Sequence, residues 1–252
     1  MAKVITFGVE KGGAAKTTTC GVVAHILSQK KKVLVVDIDS QGNLTELLTG
    51  MDSAEFAGRS ILAALQENNA DKYTVVLNDK LHLIAGQTEL AKFPRWLYEQ
   101  YKGDKSLALR QVLAQVKDKY DYVLIDTPPA LGDATINALA ASDFIVAMFE
   151  ASKYCYSALG RFLATAEAVK SVNPSLRVAG IVTTLMDSRR ADNKALLELV
   201  QEEYKELCFK TVIYRRAATG RLSIYGFNEN HELKQAIGQF EPLVKEIIKQ
   251  CR

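Results

Sequence analysis

The sequence contains, at residues 8–19, the stretch Gly8-Val9-Glu10-Lys11-Gly12-Gly13-Ala14-Ala15-Lys16-Thr17-Thr18-Thr19. This stretch follows an apolar run, Val4–Val9, that predicts a strand, and it leads into a predicted helix, Thr17–Gln29. Two adjacent glycines allow the backbone to turn tightly and to present N–H groups to an anion. The positive end of the helix dipole lies at the same point. A strand, a glycine-rich turn and a helix in this order predict a phosphate-binding loop.

The lysine and threonine side chains of this loop suit a nucleotide with bound Mg²⁺. Lys16 supplies a positive charge for the β- and γ-phosphates, and the Thr17 hydroxyl can bind Mg²⁺. The standard phosphate-loop pattern, GxxxxGK followed by Ser or Thr, does not match, because it would place glycine at Glu10 and Ala15. Lys11 is a second lysine that an ordinary phosphate loop lacks. The predicted phosphate-binding residues are Lys11, Gly12, Gly13, Ala14, Ala15, Lys16, Thr17 and Thr18.

The rest of the chain alternates short apolar runs with helical patterns. Apolar runs that are continuous rather than alternating predict strands buried on both faces, as in a parallel sheet covered by helices. We therefore predict an α/β fold with a doubly wound, mainly parallel sheet in one domain, residues 1–252. Two further runs, Tyr73–Val76 and Leu81–Ile84, predict a small antiparallel excursion. The strands predicted for the parallel sheet are Val4–Val9, Val33–Asp37, Tyr122–Asp126, Phe144–Phe149 and Arg177–Leu185, and the helical patterns between them lie near 105–119, 157–173 and 190–206.

Composition and charge exclude several classes of protein. Of the 252 residues, 48% are hydrophobic and 24% are charged, which is typical of a globular domain and not of a disordered chain. The longest apolar runs are far shorter than the roughly 20 residues that span a membrane, so no transmembrane helix is expected. Four widely spaced cysteines predict free thiols in a reducing cytoplasm. The basic excess lies in residues 151–252.

Acidic residues follow two of the predicted strands. Asp37 ends the run Val33–Asp37, and Asp39 follows at i+2, so both carboxylates would face the phosphates if the strand persisted. Asp126 ends the apolar run Tyr122–Asp126, which is the arrangement in which an acid holds the Mg²⁺ shell of a bound nucleotide. In open parallel sheets, ligands bind at the carboxyl ends of the strands. These acids are therefore expected beside the loop.

Four segments of the chain resemble one family. Lys11–Thr19 resembles the deviant Walker A loop of the ParA/MinD class of ATPases. Asp37–Asn43 resembles the family pattern DxDPQGN, with Ser40 in place of proline, and residues 120–129 resemble YDxxxIDTPP. Residues 184–190 resemble TMxDxRT. The resemblance extends over nearly the whole chain and implies a P-loop NTPase of the ParA/Soj partition type.

The resemblance implies roles for individual residues. In this family the extra lysine, here Lys11, reaches across a nucleotide-sandwiched dimer to the phosphates of the partner. Asp39 orients the attacking water, and Asp37 supports the Mg²⁺ shell. The adenine is expected beside Met186 and Arg215. The implied catalytic residues are thus Lys11, Lys16 and Asp39, and the implied metal site is Thr17, Asp37 and Asp126.

One departure from the family concerns the loop itself. Ala15 stands where the family usually has glycine. We expect its φ to be negative, because a Cβ is poorly tolerated at positive φ.

The resemblance also implies a function and partners. It implies a weak ATPase whose ATP-bound homodimer binds DNA without sequence preference, while a ParB-like partner stimulates hydrolysis. The phosphate loop begins within ten residues of the start, so no N-terminal helix-turn-helix domain is expected. The implied location is cytoplasmic and nucleoid-associated, with ATP and Mg²⁺ as cofactors and no stable membrane insertion. The arginines implied in DNA binding are Arg189, Arg190, Arg216 and Arg221.

Other interpretations remain open from the sequence. The arginines could instead be solvated or pair with acids such as Glu202, Glu203 and Glu206. The segment His231–Ile248 could lie on a membrane surface as in MinD-type positioning ATPases, although its mixed polar side favours a helix packed on the core, with Pro242 kinking it or starting its last part. An iron–sulfur carrier with the same nucleotide fold would need a cysteine shortly after Asp126, and residues 127–145 contain none.

Overall fold

One eight-stranded sheet forms the centre of the molecule. The computed structural model describes residues 2–227 and 231–252, with the backbone alone at 223–225 and 231. The strand order is β3-β4-β2-β5-β1-β6-β7-β8, and every neighbouring pair is parallel except β3 with β4. The predicted mainly parallel sheet and its antiparallel excursion are therefore confirmed. The strands are β1 (Lys3–Gly8), β2 (Val33–Asp37), β3 (Thr74–Asn78), β4 (Leu81–Ile84), β5 (Tyr122–Asp126), β6 (Phe144–Glu150), β7 (Arg177–Met186) and β8 (Cys208–Tyr214).

Helices cover both faces of the sheet, which explains the continuous apolar strands. In β2, Val33 and Val35 belong to one buried cluster, whereas Leu34 and Val36 belong to the other. Every residue of such a strand is buried, so its sequence shows no alternation. The helices are α1 (Lys16–Ser28), α2 (Asn43–Thr49), α3 (Ile61–Gln66), α4 (Phe93–Glu99), α5 (Ala108–Ala114), α6 (Asp133–Ala141), α7 (Lys153–Val169), α8 (Ala191–Tyr204), α9 (Ala217–Tyr225), α10 (His231–Gly238) and α11 (Glu241–Gln250).

The register of the central strands brings the acidic strand ends together. Asp126 of β5 lies opposite Phe7 of β1 on one side and opposite Asp37 of β2 on the other. The loop that follows β1 therefore begins beside both aspartates. This edge, where the parallel strands end, is the expected place for a ligand in an open α/β sheet.

Two features differ from the sequence-based predictions, and a third settles an alternative that the sequence left open. Strand β8 was not predicted, because this edge strand alternates partly exposed and buried residues and lacks a continuous apolar run. The helical pattern at 105–119 contains only the short helix α5, with a 3₁₀ turn on either side. The segment His231–Ile248 divides into α10 and α11, so Pro242 starts its last part rather than kinking one helix. Pro242 lies in the first turn of α11, where it removes no intrahelical hydrogen bond.

The segment His231–Ile248 packs on the core, which is the alternative that its sequence favours over a membrane-surface helix. Leu243, Val244 and Ile247 of α11 are buried, together with Leu233 of α10. The apolar face of α11 is therefore already covered by the rest of the domain. No helix in the described ranges 2–227 and 231–252 is long and apolar enough to cross a membrane.

Candidate nucleotide site

A cleft of about 520 Å³ opens at the edge where the parallel strands end. The cleft brings together the predicted loop, Asp39 and Arg215, which are distant in sequence. Its lining residues are Gly12, Gly13, Ala14, Ala15, Lys16, Thr17, Thr18, Asp39, Gln41, Asn43, Glu46, Leu47, Pro129, Leu185, Arg215, Arg216, Thr219 and Gly220.

The loop between β1 and α1 is shaped as an open cradle. Gly13 has a φ of 77°, and a Cβ built on Gly12 would meet no atom within 4 Å. The Lys16 ammonium donates a hydrogen bond of 2.8 Å to the carbonyl oxygen of Lys11, which holds this side chain across the loop. Burial lowers the pKa of Lys16, while the charges of Asp126 and Asp39 oppose that shift. The loop thus presents a fixed cation and open space to an anionic ligand.

The backbone of Ala15 contradicts the expectation of a negative φ. Ala15 has φ 58° and ψ 25°, which is the left-handed region. Its carbonyl oxygen accepts a hydrogen bond of 2.9 Å from the Thr19 N–H, so this residue caps α1 with its backbone. The first residues of α1, from Lys16 to Thr18, line the cleft. The left-handed conformation costs an L-residue roughly 1 kcal/mol. The tight turn therefore overrides the local preference of alanine.

Thr17 and Asp126 form the best-defined polar contact of the site. The Thr17 hydroxyl donates a hydrogen bond of 2.7 Å to Oδ2 of Asp126. Asp126 is fully buried, and burial together with the charge of Asp37 raises its pKa well above the usual range. Its other oxygen, Oδ1, has no hydrogen-bond partner among the described residues. A buried carboxylate with an unsatisfied oxygen beside a threonine hydroxyl fits a hard cation such as Mg²⁺.

Asp37 and Asp39 do not project in the same direction, because β2 ends at Asp37. Oδ2 of Asp37 accepts hydrogen bonds from the N–H and the hydroxyl of Thr45, at 2.9 and 2.8 Å, and Oδ1 accepts one from the Asp39 N–H. Asp37 is therefore tied to helix α2. Asp39 lines the cleft instead, and its Oδ1 accepts a hydrogen bond of 3.0 Å from the Gln41 N–H.

Thr45 is a residue that the sequence analysis missed. Its hydroxyl donates to Asp37 and accepts a hydrogen bond of 2.8 Å from the Gly86 N–H. A Cβ on Gly86 would lie only 2.6 Å from the carboxyl carbon of Asp37, so this backbone approaches the carboxylate closely. Thr45 thereby joins the ends of β2 and β4 to α2. Nothing in the local sequence distinguishes it from an ordinary helical threonine.

Lys11 points away from the cleft that its own loop forms. Its ammonium makes an ion pair with Oε2 of Glu150, the last residue of β6. Oε1 of Glu150 lies 3.6 Å from the Arg215 guanidinium, so one carboxylate faces two cations. Glu150 was also missed, although an acid at the end of a buried strand is the signal that identified Asp37 and Asp126.

The region expected beside the adenine is lined by Leu185 rather than Met186. Met186 is buried in the core, and its carbonyl oxygen accepts a hydrogen bond of 3.0 Å from the Arg215 N–H. Leu185 lines the cleft and has a φ of 52°, a strained conformation for a branched residue. Arg215 lines the cleft as predicted.

Three of the four predicted DNA-binding arginines make ion pairs, and the fourth lines the nucleotide cleft. Arg189 is paired with Asp187, Arg190 with Asp192 and Arg221 with Glu232, rather than with the acids considered from the sequence. These pairs are exposed, and exposed ion pairs exchange readily with other partners. Arg216 lines the nucleotide cleft.

The strand, loop and helix, with the Thr17–Asp126 contact beside them, define the chain as a P-loop nucleoside triphosphatase. A family model described as an AAA domain (AAA_31) matches residues 2–178. The sporulation initiation inhibitor protein Soj of Bacillus subtilis is 34% identical, covering 90% of this chain and 89% of its own. The chromosome-partitioning ATPase Soj of Treponema pallidum is 30% identical over 98% of both chains. The chain therefore belongs to the ParA/Soj-type partition ATPases of the ParA/MinD superfamily.

Solved structures have the same fold. A plasmid partition protein from Borrelia burgdorferi, bound to AMPPNP, superposes with a TM-score of 0.83 at 27% identity, covering 99% of this chain and 100% of that one. Cobyrinic acid a,c-diamide synthase from Mycobacterium smegmatis, with ADP and magnesium, gives a TM-score of 0.78 at 30% identity. The match covers 88% of this chain and 91% of that one. The fold is therefore shared by relatives with different activities, so the activity depends on the site.

Proposed function

We propose that this protein is an ATP-dependent DNA-partition ATPase that acts in plasmid or chromosome segregation. The observation that carries the ATPase assignment is the Thr17–Asp126 contact, in which a buried carboxylate keeps an unsatisfied oxygen beside the phosphate loop. ATP and Mg²⁺ would occupy the cleft together. The partition role is supported by the Soj relatives and by the plasmid partition protein of similar fold.

Hydrolysis of ATP to ADP and phosphate requires a positioned water and compensation of charge on the γ-phosphate. Thr17 and Asp126 would hold Mg²⁺, which supplies charge compensation when bound. Lys16 is fixed across the loop and would contact the β- and γ-phosphates. Asp39 lines the cleft and would orient the attacking water. No covalent intermediate is needed, and the intrinsic rate is weak.

Asp37 has a different part in this mechanism. Both of its carboxylate oxygens already accept hydrogen bonds from Thr45 and from the Asp39 N–H. Asp37 would therefore act behind the Mg²⁺ shell, by fixing the start of the segment that carries Asp39. Helix α2 would then move with the state of the nucleotide.

Dimerisation would complete the site. Lys11 does not line its own cleft and is bound to Glu150. In the ATP-bound homodimer it would leave Glu150 and contact the phosphates of the partner subunit. Each subunit would thereby supply one lysine to the other, so that dimerisation depends on ATP.

The dimer would then bind nucleoid DNA without sequence preference, and a ParB-like protein would stimulate hydrolysis and release. Arg189, Arg190, Arg216 and Arg221 are the proposed DNA contacts. Phosphate contacts need charge and no reading helix, which suits exposed arginines. The protein would act in the cytoplasm, on the nucleoid. A MinD-like membrane role is less well supported, because the apolar face of α11 is buried.

A comparison of wild type with Lys16→Ala tests the proposal. Wild-type protein should bind ATP, elute as a dimer with ATP and Mg²⁺, and retain random-sequence DNA at about 150 mM salt only in that state. Lys16→Ala should lose all three properties, whereas the matched surface variant Lys105→Ala should keep them. Unchanged ATP affinity in Lys16→Ala would refute the site. Nucleotide-dependent binding to anionic vesicles without DNA binding would favour the MinD-like role.

A further inference from the structure

A single side chain of β7 contacts the phosphate loop from the interior of the domain. The hydroxyl of Thr184 lies 3.1 Å from the carbonyl oxygen of Ala14 and 3.3 Å from the carbonyl oxygen of Phe149. Thr184 is completely buried and is not one of the described residues that line the cleft. Its hydroxyl therefore holds the loop from behind, although it is 170 residues away in sequence.

The carbonyl oxygen of Ala14 depends on this one donor. Ala14 is buried, and no other described residue donates a hydrogen bond to its carbonyl oxygen. Phe149, by contrast, lies in the paired part of β6, opposite Thr183 of β7. A buried backbone carbonyl strongly favours having a donor, so the Thr184 hydroxyl fixes the orientation of the peptide group between Ala14 and Ala15.

That orientation decides where the Ala15 N–H points. In a planar trans peptide, the carbonyl of one residue and the N–H of the next point in opposite directions. The Ala14 carbonyl points toward Thr184, in the interior. The Ala15 N–H therefore points away from the interior, on the side where Ala15 and Lys16 line the cleft. Among the described residues none accepts a hydrogen bond from this N–H, so it is available to an anionic group in the cleft.

The conformational preference of alanine opposes this arrangement. Ala15 has a φ of 58°, in the left-handed region that an L-residue disfavours. Turning the peptide group between Ala14 and Ala15 over by about 180° would bring this φ to about −120°, in the range that L-residues prefer. The same turn would take the Ala14 carbonyl away from Thr184 and the Ala15 N–H away from the cleft. The hydrogen bond from Thr184 opposes that change.

We propose that Thr184 is a positioning residue of the nucleotide site. Its hydroxyl keeps the peptide group between Ala14 and Ala15 in the orientation that presents the Ala15 N–H to the phosphates of ATP. This inference rests on the proposed function, because it requires that ATP occupies the cleft. Since Ala15 stands where the family usually has glycine, this chain depends on the constraint more than a chain in which the left-handed turn is unstrained.

The test compares the affinity of purified variants for ATP with Mg²⁺. Thr184→Val keeps the shape of the side chain and removes the hydroxyl, whereas Thr184→Ser keeps the hydroxyl and removes a methyl group. We expect Thr184→Val to bind ATP at least about fivefold more weakly, because alanine then favours the turned peptide. Thr184→Ser should bind within about twofold of wild type, since the hydroxyl remains. A role in packing alone gives the reverse order, and that result would overturn the proposal.

The same substitution in an Ala15→Gly background tests the route through the peptide group. Glycine adopts left-handed and right-handed backbone about equally, so loss of the hydroxyl leaves about half of the molecules with the N–H facing the cleft. Thr184→Val should therefore weaken ATP binding by only about twofold in this background. An equal loss of ATP affinity in both backgrounds would mean that the hydroxyl does not act through this peptide group.

Thr6→Val is the matched control. Thr6 is another fully buried strand threonine, and its hydroxyl contacts Ser142 and Ala138 instead of the loop, so its loss should leave ATP affinity unchanged. If Thr184→Val does not fold, Thr184→Ser and Thr184→Ala differ by the hydroxyl alone, and equal ATP affinity in those two variants would overturn the proposal. Failure of wild type to bind ATP would refute the proposed function, whereas wild-type affinity in Thr184→Val would refute this inference alone.

Discussion

Lys11 and Glu150 form an ion pair within one chain, although they are 139 residues apart in sequence. Both side chains are mostly buried, with 25% and 19% exposed. The pair holds the extra lysine of the phosphate loop away from its own cleft. Any role of Lys11 on the partner's nucleotide therefore requires that this contact breaks first.

The first prediction follows from that competition. Glu150→Gln should release Lys11 and strengthen ATP-dependent dimerisation by about two- to fivefold, because a partly exposed pair contributes roughly 0.5–1 kcal/mol. Sedimentation of the variant with ATP and Mg²⁺ measures this change. Glu167→Gln is the control, since Glu167 pairs with Lys170 on the exposed side of α7. Weaker dimerisation in Glu150→Gln would mean that Glu150 supports the dimer.

The second prediction concerns Asp39, which lines the cleft and caps the turn at Gln41. Asp39→Ala should bind ATP and dimerise but hydrolyse ATP at least tenfold more slowly, because the attacking water loses its orientation. Single-turnover hydrolysis and ATP titration separate the two steps. Asp52→Ala, which removes an exposed acid, should hydrolyse ATP normally. Loss of ATP binding in a folded Asp39→Ala protein would assign Asp39 to binding instead.

The third prediction concerns the left-handed backbone of Ala15. Ala15→Gly should raise the free energy of unfolding by about 0.5–1 kcal/mol, because glycine adopts this conformation without a Cβ clash. Thermal unfolding of nucleotide-free protein should show a midpoint roughly 2 °C higher. The control Ala195→Gly, in the exposed middle of α8, should lower the free energy of unfolding by about 1 kcal/mol. Destabilisation by both changes would contradict the strain at Ala15.

The sheet and the phosphate loop could be predicted from sequence because their signals are local. Strands such as β2 are buried on both faces, so each appears as an unbroken apolar run. The loop signal is equally local, since Gly12, Gly13 and Lys16 lie within a few residues of one another. Asp126 was identifiable because an acid directly ends an apolar strand.

The features that sequence could not predict depend on contacts between distant residues. The partner of Lys11 comes from the end of another strand, and Thr45 joins Asp37 to Gly86 only in the folded chain. The φ of Ala15 follows from the tight approach of β1 to α1 rather than from alanine's own preference. Strand β8 has a neighbour on one side only, so its sequence is mixed and resembles a loop.

The fourth prediction concerns Arg189 and Arg190, which lie in the loop between β7 and α8. Arg189→Ala combined with Arg190→Ala should weaken ATP-dependent binding to all DNA sequences alike, by about tenfold at 150 mM salt, and leave dimerisation intact. Both side chains are exposed, with 88% and 62% accessible, so folding should be unaffected. The control Arg59→Ala with Arg95→Ala removes the same charge elsewhere. If the variant binds DNA as tightly as wild type with ATP, these two arginines are not contacts.

The last prediction concerns the pH dependence of stability. Burial raises the pKa of Asp37 to about 6, with hydrogen bonds from Thr45 opposing part of the shift. The unfolded chain has a value of about 3.9. Since the folded state binds this proton more tightly, Asp37 favours folding below about pH 4, and that contribution is lost as the pH rises through about 6. The free energy lost over the whole titration is about 3 kcal/mol.

Asp37→Asn removes this titration. The unfolding free energy of the variant minus that of wild type should therefore rise by about 2 kcal/mol between pH 4 and pH 7. Urea unfolding at both pH values, without nucleotide or Mg²⁺, measures that shift. Loss of one hydrogen bond in the variant adds a constant at both pH values and cancels in the comparison. Asp118→Asn, at an exposed site, is the control and should show no comparable change. If this difference fell between pH 4 and pH 7 instead, the three hydrogen bonds to the Asp37 carboxylate would stabilise it more than burial destabilises it.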